Sequence, residues 1–336
     1  MSPKDSTETI LESVIDLYLR EFERDPKRSV RKLVDLGRQF SSGRFQEDFF
    51  ELTHNMLEEK NSPYYDMAEK AVKKISHQTL KTFGINLGYH SCLKGAKTIR
   101  RYKEAGGRHS PWSLTFYLQG GEDPSTLPFL KSIIDAGKRH GIFTYSFLFQ
   151  GNPSPLSLYF PLLSQEEDCA FLFFLPPGFL EETKFSEISR RHNLLLSLET
   201  GEKGWKKAAE KLEKQRCLYA LHRNYSSRED VEEIVSGAWG RRIEKRCGVF
   251  AFCLASEECP ADLSQRVEQY ALKSRTQARY SFLPINFYSD SLMIDEIISG
   301  QAEFWGVDSK GVAVRYTRKD GREILPLASL PFPISS

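Results

Sequence analysis

After Pro111 the chain alternates short apolar runs with amphipathic stretches, and nothing else in it constrains the fold as strongly. The apolar runs are WSLTFYL (112–118), IFTYSFLF (142–149), AFLFFL (170–175), LLLSL (194–198), CLYALH (217–222), VFAFCLA (249–255) and PINFY (284–288). They have the length and the aromatic and branched content of strands. Between them, PFLKSIIDAGKRHG, KGWKKAAEKLEKQR and SREDVEEIVSGAWGRRIEKR carry apolar residues at helical spacing. Strands joined through helices by right-handed crossovers build a parallel sheet. No dinucleotide glycine fingerprint accompanies the units, so the expected fold is α/β: a partial TIM-type (β/α)6-7 barrel over residues 109–280.

Residues 1–108 read as an all-helical region. TILESVIDLYLREFERD, SVRKLVDLGRQF, FQEDFFELTHNMLEE and YDMAEKAVKKISHQTLKTFG have helical periodicity, separated by the turn signals DPK, SSG and NSP. SCLKGAKTIRRYKEAGG closes the region with a glycine stop. Residues 281–336 form a small C-terminal β extension. There AEFWGVDSKGVAVRYTRKDGREILPL reads as two or three strands joined at DSKG and KDG.

Composition narrows the partners. The formal net charge is +2 over 336 residues. That balance disfavours bulk nucleic acid, and RRIEKR and Lys206–Lys207 read as solvated helix faces. The longest apolar run, Cys169 to Pro177, is far short of the roughly 20 residues that span a bilayer. MSPKDSTETI lacks the apolar core of a leader, so a cytoplasmic protein with no membrane partner is expected. The six cysteines form no C-x-x-C pair and read as free thiols. Cys169, Cys217 and Cys253 fall in apolar runs and read as buried.

Several stretches carry a family resemblance. GGRHSPWSLTFYL resembles the entry to the first strand of a radical-SAM barrel, and IIDAGKRHGIFTYSFLFQGNPSP resembles its first helix and second strand. In that family the second strand ends in Gly-Gly-Glu-Pro, which contacts the amine of S-adenosylmethionine; here Gln150, Gly151, Asn152 and Pro153 stand there. LLLSLETG resembles the fourth strand, with Glu199 at the family's acidic position. INFYSDSLMIDEIISGQAEFWGVDSKGVAV resembles the extension of SPASM-like members. The resemblance spans about residues 80 to 318 and implies a barrel that holds a [4Fe–4S] cluster and S-adenosylmethionine.

The departures remove that chemistry. The family's C-x3-C-x2-C should follow the first strand, where its thiolates ligate the cluster. Here the strand runs into Gln119, Gly120, Gly121, Glu122, Asp123 and Pro124. The extension cysteines are missing too, with Glu296 and Tyr316 near their places. The spacing of Cys247, Cys253 and Cys259 along a strand disfavours a substitute cluster. Neither the [4Fe–4S] cluster nor S-adenosylmethionine is expected as a cofactor.

Barrel enzymes place chemistry at the strand C-termini. Reading those ends gives the ligand-binding candidates Gln119, Glu122, Asp123, Gln150, Asn152, Glu199, His222, Asn224, Asn286 and Tyr288, with Glu199 and His222 as the catalytic candidates. Each also has a plain reading. Glu122 and Asp123 suit the start of the next helix. Asn152 before Pro153 is a turn residue. His222 suits a satisfied histidine at the barrel rim. Glu122, Asp123, Glu199 and His222 would be a carboxylate–imidazole metal set only if they converged; no metal is expected. His90 and Cys92 stand two apart on a helix and read as structural.

Two functions follow from this reading. One is a non-catalytic radical-SAM-like protein that binds a peptide, a small molecule, or an active relative or that relative's substrate. The other is a barrel enzyme of changed, cluster-independent chemistry using the polar rim.

Overall fold

The computed structural model describes residues 6–22, 24–40, 62–119, 126–151, 155–181 and 183–334. In chain order the helices and strands begin with α1 (Ser6–Glu21), α2 (Pro26–Phe40), α3 (Pro63–Lys74) and α4 (His77–Gly84). A π-helix (Ile85–Gly95) runs into α5 (Ala96–Glu104). Then follow β1 (Ser113–Leu118), α6 (Thr126–Arg139), β2 (Thr144–Phe149), α7 (Phe160–Gln165), β3 (Ala170–Leu175), α8 (Phe185–Ile188), β4 (Leu194–Glu199) and α9 (Trp205–Lys214). The chain continues through β5 (Tyr219–Tyr225), α10 (Arg228–Val235), α11 (Ala238–Ile243), β6 (Phe250–Ala255), α12 (Ala261–Thr276), β7 (Leu283–Asn286) and α13 (Phe287–Ser299). It ends with β8 (Glu303–Asp308), β9 (Val312–Thr317) and β10 (Gly321–Pro326).

The expected α/β alternation is present, and every apolar run singled out above contains a strand. PINFY differs at its end: the strand stops at Asn286 and α13 begins at Phe287. The expected helix in FQEDFFELTHNMLEE lies outside the described residues. No helix among the described residues is long and apolar enough to cross a membrane.

The chain forms two compact units, each made of two segments: residues 1–81 with 209–287, and residues 82–208 with 288–336. In the second, the strand order is β10-β9-β8-β1-β2-β3-β4. Strands β8 through β4 run parallel, while β9 and β10 turn back antiparallel at the edge. Register puts Phe116, Phe147, Phe173 and Leu196 on one face, with Leu118, Phe149, Leu175 and Leu198 beside them at their C-terminal side. That face meets helices: Tyr145 Oη donates to Ile134 O of α6, and Phe149 packs against Tyr159 and Phe179. Burying so many aromatic rings in one layer is the main apolar stabilisation of this unit.

The π-helix docks on the same unit through polar side chains. Its buried residues are Ile85, Asn86, His90, Ser91 and Gly95, a spacing of four and five that matches i→i+5 winding. Asn86 Nδ2 donates to Glu167 O and Cys169 O, and Thr144 Oγ1 donates to Ser91 Oγ. The crossing at Gly95 is tight, since a Cβ there would lie 2.3 Å from Gly141 O.

In the unit of residues 1–81 and 209–287, β5, β6 and β7 are parallel neighbours in that order. Helices α1 to α3 build a core from Leu19, Phe22, Val30, Tyr64, Tyr65 and Val72. Tyr64 Oη donates to Arg275 O at 2.6 Å, tying α3 to α12.

Candidate functional site

The second sheet face of the 82–208 and 288–336 unit carries polar residues among apolar ones. Register aligns Gly306, Thr115, Ser146, Leu172 and Leu195 across it, then Asp308, Tyr117, Leu148, Phe174 and Ser197. Two residues further along, the same parity places Gln119, Gln150 and Glu199 on this face at the strand C-termini. Gly306 is required here because Tyr117 fills its side-chain space: a Cβ would lie 2.4 Å from the ring.

The ends of β1 and β2 are tied together. Gln150 N–H donates to Leu118 O at 2.8 Å, and the exposed side chains meet with Gln119 Nε2 3.5 Å from Gln150 Oε1. A Cβ on Gly151 would lie 2.4 Å from Gln119 O, so the chain leaves β1 and β2 in close contact at these two residues. Glu199 is buried at the end of β4, and its Oε1 accepts the Gly201 N–H at 2.8 Å. The carboxylate thus folds its own strand-to-helix turn. Glu122, Asp123 and Asn152 lie outside the described residues, and with them two of the three carboxylates of the metal set.

In the other unit the strand ends divide. Strand β5 runs on to Tyr225, so His222 sits in mid-strand and not at its end. Register places His222 beside Phe252 and Ile285, with Asn224 on the same face. Asn286 aligns instead with Cys253 and Arg223 on the opposite face. That face is covered by helices: Arg223 pairs with Asp230 of α10, Tyr225 Oη lies against Ser264 of α12, and Asn286 Nδ2 donates to Tyr225 Oη at 3.2 Å. A site built jointly from His222 and Asn286 is therefore excluded by strand parity. Tyr288 also departs from the rim: on α13 it packs edge-on to Phe304 at 5.0 Å and near Tyr316.

The cysteines sit in separate places. Cys253 of β6 shares the face of Arg223 and Asn286, Cys247 Sγ lies 3.2 Å from Phe250 O, and Cys259 Sγ lies 3.6 Å from Pro260 O. Burial pushes the Cys217 thiol up to about 12. Cys92, on the π-helix, is also held neutral, its thiol pushed up to about 12 by burial.

One cluster was missed by the sequence reading. Glu166, Asp168 and Cys169 bring three ligand atoms within 4.8 Å of one another. Lysines already fill the space that a cation would take. Lys131 and Lys138 each reach Glu166 at 2.7 Å, and Lys138 reaches Asp168 at 2.6 Å. Burial works to lower the Lys138 ammonium, but the carboxylates of Asp168 and Glu166 outweigh it and hold it above the usual lysine value. Burial, with Asp168 beside it, raises the Cys169 thiol well above its ordinary value. Two carboxylates paired with two ammoniums beside a neutral thiol make an ion-pair network, not a metal site.

No family model matches the chain, and no curated protein matches it. Among solved structures, tryptophan synthase from M. tuberculosis aligns at 9% identity and a TM-score of 0.33, covering 62% of this chain and 96% of that one. A likeness that weak carries no argument about fold or function.

Proposed function

We propose that the chain is a non-catalytic relative of the radical-SAM barrels that keeps the strand-end rim as a binding surface for a peptide or an amide-bearing small molecule. The observation that carries this is the rim of β1, β2 and β4. Its shared face offers two amides in contact, Gln119 and Gln150, and one carboxylate, Glu199, already engaged with its own loop. Amides donate and accept in the pattern of a peptide's own backbone, so they suit neutral hydrogen-bonded recognition. No cysteine lies in residues 119–125, where the family places its thiolates. Soft thiolates are what such a cluster requires, and a pair of amides does not supply them. The parallel alternation of strands with helices supports the barrel relationship, and the separation of His222 from Asn286 weighs against a shared catalytic rim.

The purified chain, reconstituted anaerobically with iron and sulfide and desalted, is expected to retain only background iron. It is also expected to gain no thermal stability from S-adenosylmethionine. Iron near the about four atoms per chain of one cubane cluster, with broad absorbance in the blue, would overturn the proposal.

A further inference from the structure

The unit of residues 1–81 and 209–287 holds a second concentration of hydrogen-bond donors, independent of the rim. It lies where the α10–α11 turn at Gly237 meets the segment between α12 and β7. A Cβ on Gly237 would lie 2.8 Å from Tyr280 Oη, 3.0 Å from an Arg241 Nη and 3.1 Å from an Arg279 Nη. The three tips therefore gather within about 6 Å of one another. The φ of +77° at Gly237 already requires glycine. The backbone does not explain why donors from two segments, Arg241 on one and the adjacent Arg279 and Tyr280 on the other, converge there.

Arg241 and Arg279 are unlike their neighbours. Arg223, Arg242, Arg246 and Arg266 of the same unit each reach a carboxylate. Among the described residues, neither Arg241 nor Arg279 has one within ion-pair distance. Arg241 donates a single bond to Ser236 O at 3.3 Å. The Arg279 guanidinium lies over two rings, 5.5 Å from that of Tyr270 and 5.7 Å from that of Tyr280. Both arginines are exposed, so a ligand reaches them from solvent.

The frame around them is rigid. Tyr280 is buried, stacks on Phe282 at 4.8 Å and lies directly on Gly240, where a Cβ would come within 2.5 Å of its ring. Ala278, at φ +46°, turns the chain immediately before Arg279. Tyr270 and Tyr280 share a 2.7 Å hydroxyl contact. One phenol donates to the other, which leaves the acceptor's own O–H for a further partner. The cluster is thus rich in donors, poor in acceptors, and holds two like charges together, a balance that an anion reverses.

We propose that Arg241, Arg279 and the Tyr270–Tyr280 hydroxyl pair bind the phosphoryl group of a small phosphate monoester. A carboxylate offers two oxygens in one plane, which a single guanidinium fork satisfies. Two guanidiniums from different segments and a hydroxyl between them instead match the three outward oxygens and the double charge of a phosphate monoester.

The test is calorimetric titration of the full chain with inorganic phosphate and with phenyl phosphate at constant ionic strength. Saturable binding is expected with both. Arg241→Gln and Arg279→Gln should each weaken it about tenfold or more, the usual effect of removing a hydrogen bond to a charged group. Arg266→Gln, which removes an exposed guanidinium paired with Glu232, should leave it unchanged. Thermal denaturation of each variant separates lost binding from lost folding. Binding that chloride reproduces, binding as tight in the Arg241 and Arg279 variants as in the parent, or no saturable binding would each overturn the proposal. Capture of a phosphoserine peptide where neither free probe binds would overturn it in favour of a protein partner.

Discussion

Asp295 shows how much of the 82–208 and 288–336 unit hangs on one side chain. It is fully buried, yet accepts Trp112 N–H at 2.9 Å, accepts Glu303 N–H at 3.0 Å and lies 3.1 Å from His109 Nε2. It therefore pins the entry of β1 and the entry of β8 to α13. Asp295→Ala would leave buried donors without acceptors, and urea unfolding should show a loss of about 3 kcal/mol. Burial raises the Asp295 carboxyl, and His109 and the two backbone N–H groups oppose that without cancelling it. A group whose value is raised in the fold stabilises below its unfolded value and loses that stabilisation as pH rises through the folded one. Stability measured upward from pH 4 should therefore carry a falling component from Asp295, and Asp295→Asn should remove that component from the slope. If the slopes of the two proteins coincide, the carboxyl is not raised.

At the scale of elements, the strands were legible because each of β1 to β4 is apolar along most of its length, as a parallel strand covered on both faces must be. The sharing of one face by Gln119, Gln150 and Glu199 was also legible in principle, since all three lie at or one residue past a strand end. Strand β5 was read short because its last residues, Arg223 to Tyr225, are polar. Their pairing with Asp230 and Ser264 is invisible in the sequence. The face of Asn286 depends on the register of β6 against β7, which no local pattern states. The π-helix was not legible either: over eleven residues, polar positions four and five apart read as an ordinary helix with structural His90 and Cys92. Only the docking surface explains why its buried face holds Asn86, His90 and Ser91 beside Ile85. That docking is testable. Asn86→Ala removes two buried hydrogen bonds and should destabilise by about 2 kcal/mol, while Asn86→Asp, which cannot donate to Glu167 O and Cys169 O, should be no better. An alanine variant as stable as the parent would mean that the π-helix is held by its apolar contacts alone.

At the scale of the whole molecule, neither unit is a contiguous stretch of chain, and this fixes what truncation does. The last segment of the 82–208 unit is residues 288–336, which supply β8, the parallel neighbour of β1, and β9 and β10 beyond it. They also supply the acceptors for α5, where Arg100 Nε reaches Ile298 O at 3.0 Å and Lys103 Nζ reaches Ser299 O at 2.9 Å. Those cations close the C-terminal end of α13, where carbonyls lack partners within the helix. Phe332 stacks on His140 at 5.6 Å, so the segment is anchored to α6 at its far end as well. Ending the chain at residue 287 would strip β1 of a full row of hydrogen bonds and bare the buried entry that Asp295 holds. Amide exchange in β1 to β4 should then lose its protection throughout, because those strands share one apolar layer and open together. In the other unit, β6 keeps both of its strand neighbours, β5 and β7, so its protection should persist. Loss of protection at β1 alone, with β2 to β4 unchanged, would mean that the sheet opens strand by strand and that the aromatic layer holds without its C-terminal segment.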